Sequence, residues 1–101
     1  MVIISKVILK EFADKHPDAR EALEGWYEKT KLADWQSFVK VKETFNSVDG
    51  VGNDRYVFNI KGNQYRLITL ILFKVGTVFI LFVGTHKEYD SIDAKKVTYK
   101  K

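Results

Sequence analysis

Arg55-Tyr56-Val57-Phe58-Asn59-Ile60, then Gln64 through Phe73, then Thr77 through Val83 are three runs rich in β-branched and aromatic residues. Lys61-Gly62-Asn63 breaks the first from the second, and Lys74-Val75-Gly76 breaks the second from the third. Each break contains a glycine, which supplies the backbone freedom a tight reversal needs. The pattern predicts a three-stranded antiparallel meander. Its longest apolar stretch, Leu67 to Phe73, has the length of a strand and contains Thr69, so it is too short to cross a bilayer.

Working back toward the N-terminus, the turn cluster Asp49-Gly50-Val51-Gly52-Asn53-Asp54 separates the meander from a region of different period. Val2, Ile3 and Ile4 read as a short buried strand, with Ser5 as N-cap of a helix over about Lys6 to Lys15. Ile8, Leu9, Phe12 and Ala13 mark one apolar face of that helix. His16-Pro17 ends it, because a residue before proline disfavours the helical conformation. Pro17 suits the first position of a second helix, from Asp18 to about Lys31, in which Asp18, Glu21, Glu24 and Glu28 alternate with Ala22, Leu23, Trp26 and Tyr27. Such a hairpin of helices lays its apolar faces on a sheet. Between 34 and 40 the spacing favours a short helix, followed by irregular chain. The strand at Ile3 is expected to join the meander, and the Lys-rich segment from about 94 to 101 to form a flexible basic tail.

Strand, two helices, then meander is an α+β order: an N-terminal strand and two-helix hairpin packed on a mainly antiparallel four-stranded sheet. The 101 residues fit a single domain, 1–101, and the 46% hydrophobic content, with seven Phe, five Tyr and two Trp, is enough for one core. There is no cysteine, which excludes disulfide frameworks, thiolate nucleophiles and thiolate-bound zinc. His16 and His86 lie far apart without metal-ligand spacing, so neither metal nor cofactor is expected. The apolar run at Met1-Val2-Ile3-Ile4 is too short for the core of a signal peptide, and a cytoplasmic protein with no membrane partner is the expectation.

Charge is unevenly spread. Residues 1 to 54 carry eight Lys/Arg against ten Asp/Glu, whereas residues 55 to 101 carry nine against three and so hold all of the net +4 excess. A basic half on a near-neutral scaffold points to a polyanionic partner; the alternative is a basic tail that serves only solubility. Arg55, Lys95, Lys96, Lys100 and Lys101 are the candidates for salt-sensitive attraction to RNA.

Two motifs sharpen this. Val57-Phe58-Asn59-Ile60 with Gly62-Asn63 and Tyr65-Arg66-Leu67, followed by Gly84-Thr85-His86-Lys87-Glu88-Tyr89-Asp90, resembles the signature of the HigB-type toxins, a branch of the RelE-like superfamily of type II toxin–antitoxin systems. About forty residues carry the likeness. The resemblance implies a RelE-like fold and a metal-independent endoribonuclease that cleaves messenger RNA on the translating ribosome. It also implies a cognate helix-turn-helix antitoxin as partner, with operator DNA reached only through that antitoxin.

Cleavage by the ribose 2′-OH needs a base, cations for the developing phosphorane charge and an acid for the leaving 5′-oxygen. By the resemblance Arg66 takes the place of the strand arginine of RelE-like toxins, a phosphate clamp whose rigid fork suits two phosphate oxygens. His86 is the candidate general acid or base, and Tyr89 could stack on a nucleobase or donate its phenol. Where the RelE pattern has two strand lysines, this sequence has Val57 and Asn59, and where it has an arginine, His86; Lys61 and Lys87 are the substitute cations. Glu88 and Asp90 fit the orienting of a neighbour or capping, and His16 a helix end. Trp26, Trp35, Phe38 and Phe45 read as core. Two other readings stay open: a RelE-like toxin directed at DNA gyrase, and an RNA-binding module without catalysis.

Overall fold

A computed structural model describes residues 1–99. Five strands form one sheet: β1 (Val2–Ile4), β2 (Val48–Gly52), β3 (Arg55–Ile60), β4 (Tyr65–Leu72) and β5 (Thr77–Thr85). Among the described residues four α-helices accompany them: α1 (Val7–Lys15), α2 (Arg20–Leu32), α3 (Phe38–Thr44) and α4 (His86–Asp90). The sheet order is β1-β5-β4-β3-β2. The meander β3-β4-β5 is antiparallel as its period-two pattern predicts. The sheet as a whole differs from the expected four strands in two ways. β1 pairs parallel to β5, which makes the sheet mixed, and Val48–Gly52 adds a fifth strand on the far edge, antiparallel to β3. An edge strand needs no apolar alternation on its solvent side, so its Asp49-Gly50 sequence reads locally as a turn.

The N-terminal region departs in detail. Ser5 has a positive φ of 75° and does not cap α1, whose preceding residue Lys6 makes no side-chain cap bond. Pro17–Ala19 forms a 3₁₀ turn leading into α2, and His16, at φ −129° and ψ 76°, leaves the helical conformation before the proline. The short helix expected at 34–40 lies at Phe38–Thr44, after an extended Ser37. Trp35 precedes it, buried, with its indole N–H donating to Thr44 Oγ1 at 3.0 Å.

Both faces of the sheet are covered, by different chain. On one face α1, α2 and α3 set Leu9, Phe12, Leu23, Trp26 and Val41 against Phe58, Leu67, Ile71, Val78 and Ile80. Phe58 is the centre of an aromatic cluster, with the rings of Trp26, Phe45 and Trp35 5.4, 5.3 and 6.5 Å away. Packing of this kind adds about 0.5–1.5 kcal/mol per pair beyond burial. The opposite face holds Val57, Ile68 and Leu81, covered by Tyr89, Ile92, Ala94 and Val97 from the C-terminal segment.

That segment corrects the expectation of a flexible tail from about residue 94. Ala94–Lys96 forms a 3₁₀ turn with Ala94 buried, and the Val97 carbonyl accepts from Arg55 Nε at 3.1 Å and Nη2 at 2.8 Å. Asn53 Nδ2 donates to the Lys95 carbonyl at 3.2 Å. The physical reason is apolar: Ile92, Ala94 and Val97 are interleaved with the charges and cover a sheet face that would otherwise lie open. Lys100 and Lys101 lie outside the described residues.

A bulge sets the end of β5. The register jumps between Ile68 and Thr69, which face Phe82 and Ile80, so Leu81 is the extra residue and the alternation of β5 changes phase there. Val83 thereby returns to the helix-covered core. Gly84 pairs with Arg66, and the Phe82 ring occupies the space where a Gly84 side chain would begin. Gly84→Ala is expected to lower stability by about 1–3 kcal/mol through this overlap, read as a lower urea midpoint with unchanged slope.

Candidate active site

Arg66 points away from the helices, because Tyr65 and Leu67 on either side of it belong to the helix-covered core. Its cross-strand neighbours are Asn59 on β3 and Gly84 on β5. The residue is only 9% exposed. Its guanidinium donates from Nη1 to the Asn63 carbonyl at 3.1 Å and the Tyr65 carbonyl at 3.3 Å, and from Nη2 to Asn63 Oδ1 at 2.8 Å. None of these acceptors is charged, and among the described residues no carboxylate forms an ion pair with Arg66. A buried cation without a counter-charge is costly unless another group supplies one. The Tyr89 ring lies 5.8 Å from the Arg66 Cζ, within reach of a cation–π contact.

α4 delivers the remaining groups. It starts at His86 directly after β5, and a reciprocal capping box fixes its start: Glu88 N–H donates to Thr85 Oγ1 at 3.1 Å, and Thr85 N–H to Glu88 Oε1 at 2.7 Å. The bond from the Thr85 backbone is the main reason the Glu88 carboxyl is held below its ordinary value. The His86 N–H donates to the Gln64 carbonyl at 3.2 Å, tying the helix start to the β3–β4 turn. His86 Nδ1 lies 3.1 Å from Asp90 Oδ2 one helical turn later, and the imidazole is about half exposed. A carboxylate on one ring nitrogen orients the ring and leaves Nε2 for chemistry.

The structure thus sets the Tyr89 ring over Arg66 on the sheet face opposite the helices, and fixes the start of α4, with His86, against the turn that leads into Arg66. Lys87 is exposed on α4 and makes no ion pair among the described residues. Lys61 has another engagement: its Nζ pairs with Asp18 Oδ2 at 3.0 Å, and the Tyr65 phenol donates to the same oxygen at 2.6 Å. This ties the turn between the first two helices to the β3–β4 turn. Arg55 is committed to Val97 and Asn53, holding the C-terminal segment in place. Lys95 and Lys96 are exposed, Lys96 lying 4.0 Å from Asp93.

Glu88 and Asp90 serve as a cap and as the partner of His86, in line with the orienting or capping expected of them. His16 ends α1 as expected, and in addition stacks on Phe12 at 4.3 Å and lies 5.6 Å from the Tyr65 ring, a packing role that its sequence context does not show. Asn63, quoted within the motif only as part of its turn, is the contact of Arg66 to which sequence reading gives no role. A groove of about 600 Å³ lies elsewhere, lined by Trp26, Lys29, Phe45, Ser47 and Lys61, and it does not include Arg66 or His86. Among the described residues no three His, Asp or Glu side chains are grouped as metal ligands, and no helix is long and apolar enough to cross a membrane.

A small α+β protein with a buried arginine that has no carboxylate partner among the described residues, a tyrosine over it and a carboxylate-oriented histidine at the start of the adjoining helix is equipped to receive an anion and to move a proton. Comparison with known proteins gives this class its family. The HigB toxin family model, described as the RelE-like toxic component of a toxin–antitoxin system, matches residues 19–92. The mRNA interferase toxin HigB of Escherichia coli (strain K12) is 30% identical over 96 residues, covering 93% of this chain and 92% of that protein. An mRNA interferase HigB of Escherichia coli O6:H1 is 32% identical over 94 residues, 91% of each chain. The chain belongs to the HigB family of RelE-like toxins.

The Asp18–Tyr65 bond makes a pH-dependent prediction. Tyr65, then Lys61, hold the Asp18 carboxyl below its ordinary value, while Asp18, then burial, raise the Tyr65 phenol above its own. The carboxylate contribution is complete above the ordinary aspartate range and fades as pH falls through the depressed value. The phenol contribution is complete below the ordinary tyrosine range and is lost as pH rises through the raised value. Tyr65→Phe should therefore be less stable by a constant amount across neutral pH, with the deficit shrinking at both extremes, in denaturant titrations over a pH series.

Proposed function

We propose that this protein, acting as a single toxin domain, is a metal-independent endoribonuclease that cuts messenger RNA on the translating ribosome. The observation that carries the reading is Arg66, nine-tenths buried, held by three neutral oxygens and without a carboxylate partner among the described residues. A phosphodiester is the anion that completes it. The relatives' names, mRNA interferases, give the same substrate class.

In this reading the scissile phosphate sits on Arg66, which stabilises the charge that develops on the phosphorane oxygens. The ribose 2′-OH loses its proton and attacks the adjacent phosphorus. The bond to the 5′-oxygen breaks, and that oxygen takes up a proton, leaving a 2′,3′-cyclic phosphate and a 5′-hydroxyl end. In this reading His86, whose ring meets Asp90, moves one of these protons, and Tyr89, whose ring meets Arg66, takes a flanking base. Lys87 adds positive charge next to His86, and Lys95 and Lys96 add longer-range attraction. Lys61, paired with Asp18, serves the reaction only if that pair opens. A helix-turn-helix antitoxin neutralises the toxin and carries the contact with operator DNA.

The test is induced expression of wild type, Arg66→Ala and His86→Ala, following growth and the 5′ ends of a translated reporter by primer extension. Arg66→Ala should abolish new ends and growth arrest, and His86→Ala should reduce cleavage by about 10²–10⁴-fold. Arrest that persists in wild type with no new ends would sink the nuclease reading and point to a different target such as gyrase.

A further inference from the structure

Arg66 is gripped mainly by one residue. The Asn63 backbone carbonyl takes a hydrogen from Nη1 at 3.1 Å and its side-chain Oδ1 one from Nη2 at 2.8 Å, so both terminal nitrogens of the guanidinium are pinned by Asn63. The turn that makes this possible runs through Lys61 and Gly62, whose φ values of 53° and 65° fold the chain back so that residue 63 meets the side chain of residue 66. The Tyr65 carbonyl supplies the third acceptor. A guanidinium has five N–H donors, and with these three engaged the Nε–H and one Nη2–H have no partner among the described residues. Those two form the lateral fork that matches a pair of phosphate oxygens.

The chemistry of the gripping residue is the informative part. An aspartate has nearly the shape of asparagine and would make a stronger, charge-assisted bond to Arg66. On stability alone a carboxylate is the better partner for a cation this deeply buried. A carboxylate would also cancel the charge that the phosphate is to meet, whereas an amide holds the guanidinium by hydrogen bonds and leaves its full charge unspent. We infer that Asn63 is a positioning residue of the cleavage reaction, whose neutral amide fixes Arg66 for the scissile phosphate without neutralising it. This rests on the reading of Arg66 as the phosphate clamp.

Two substitutions and one double variant test it, with cleavage of a reporter message measured in a reconstituted translation system and thermal unfolding measured on the same purified proteins. Asn63→Asp should fold, with a melting temperature equal to or above that of the wild type, yet cleave on the order of 100-fold more slowly at saturating message. Asn63→Ala should also lose cleavage, by about 10-fold or more, in the maximal rate rather than in the message concentration at half-maximal rate. Asn63→Ala should not lower further the residual in vitro cleavage rate of Arg66→Ala, since it acts through that side chain. A purely structural Asn63 would make activity follow stability, so a stable Asn63→Asp that cleaves at the wild-type rate overturns the inference. If Asn63→Asp does not fold, the rate split of Asn63→Ala and its non-additivity with Arg66→Ala decide the matter. Normal cleavage by Arg66→Ala would remove the clamp reading itself, while an inactive Arg66→Ala beside a fully active Asn63→Asp removes only the role given to Asn63.

Discussion

The pairing of β4 with β5 is the constraint on which the molecule depends. These strands lie in the middle of the sheet and carry apolar residues on both faces, so each must be covered twice, by the helices on one side and by the C-terminal segment on the other. The register of the pair fixes where everything else falls. It sets Arg66 opposite Gly84, and the bulge at Leu81 corrects the phase so that Val83 faces the core and α4 leaves the strand end over the Arg66 face. A slip of one residue would turn Arg66 into the helix-covered core and Tyr65, with its bond to Asp18, out of it.

The proposed site lies where this arrangement leaves polar chain next to rigid chain. The β3–β4 turn and the start of α4 meet through the bond between the His86 N–H and the Gln64 carbonyl, so the segment that carries Asn63 and Arg66 is joined to the one that carries His86 and Tyr89. The scaffold is stiff on both sides of the site, through the capping box of α4 and the Asp18 link beneath the turn. Preorganised groups of this kind need no rearrangement when charge develops in a transition state. The basic character of the C-terminal half has been partly converted into structure: Arg55 holds the Val97 carbonyl.

Much of this is legible in the sequence, and the exceptions have physical causes. The meander announces itself because period-two alternation and turn glycines are local signals, and the helical hairpin does so through its apolar faces and Pro17. The parallel pairing of β1 is invisible locally, since three residues carry no record of a partner more than seventy positions away. β2 is hidden by Asp49, Gly50 and Gly52, residues typical of turns, which an edge strand tolerates. The ordered C-terminal segment is hidden because its apolar residues are spaced among lysines. Arg66 stands out by its motif, but the partner that defines its chemistry, Asn63, looks like an ordinary turn residue until the guanidinium is placed.

The two-sided construction has a spectroscopic consequence. The chain has two tryptophans, Trp26 and Trp35, and both pack against Phe58 on the helix-covered side. Intrinsic tryptophan fluorescence therefore follows that core alone. The opposite side, where Tyr89, Ile92 and Val97 lie over the sheet, is silent at tryptophan wavelengths. Local opening there, the motion that would uncover Arg66, can proceed while the fluorescence signal stays native, so amide hydrogen exchange and tryptophan emission will report on two different layers of one small protein.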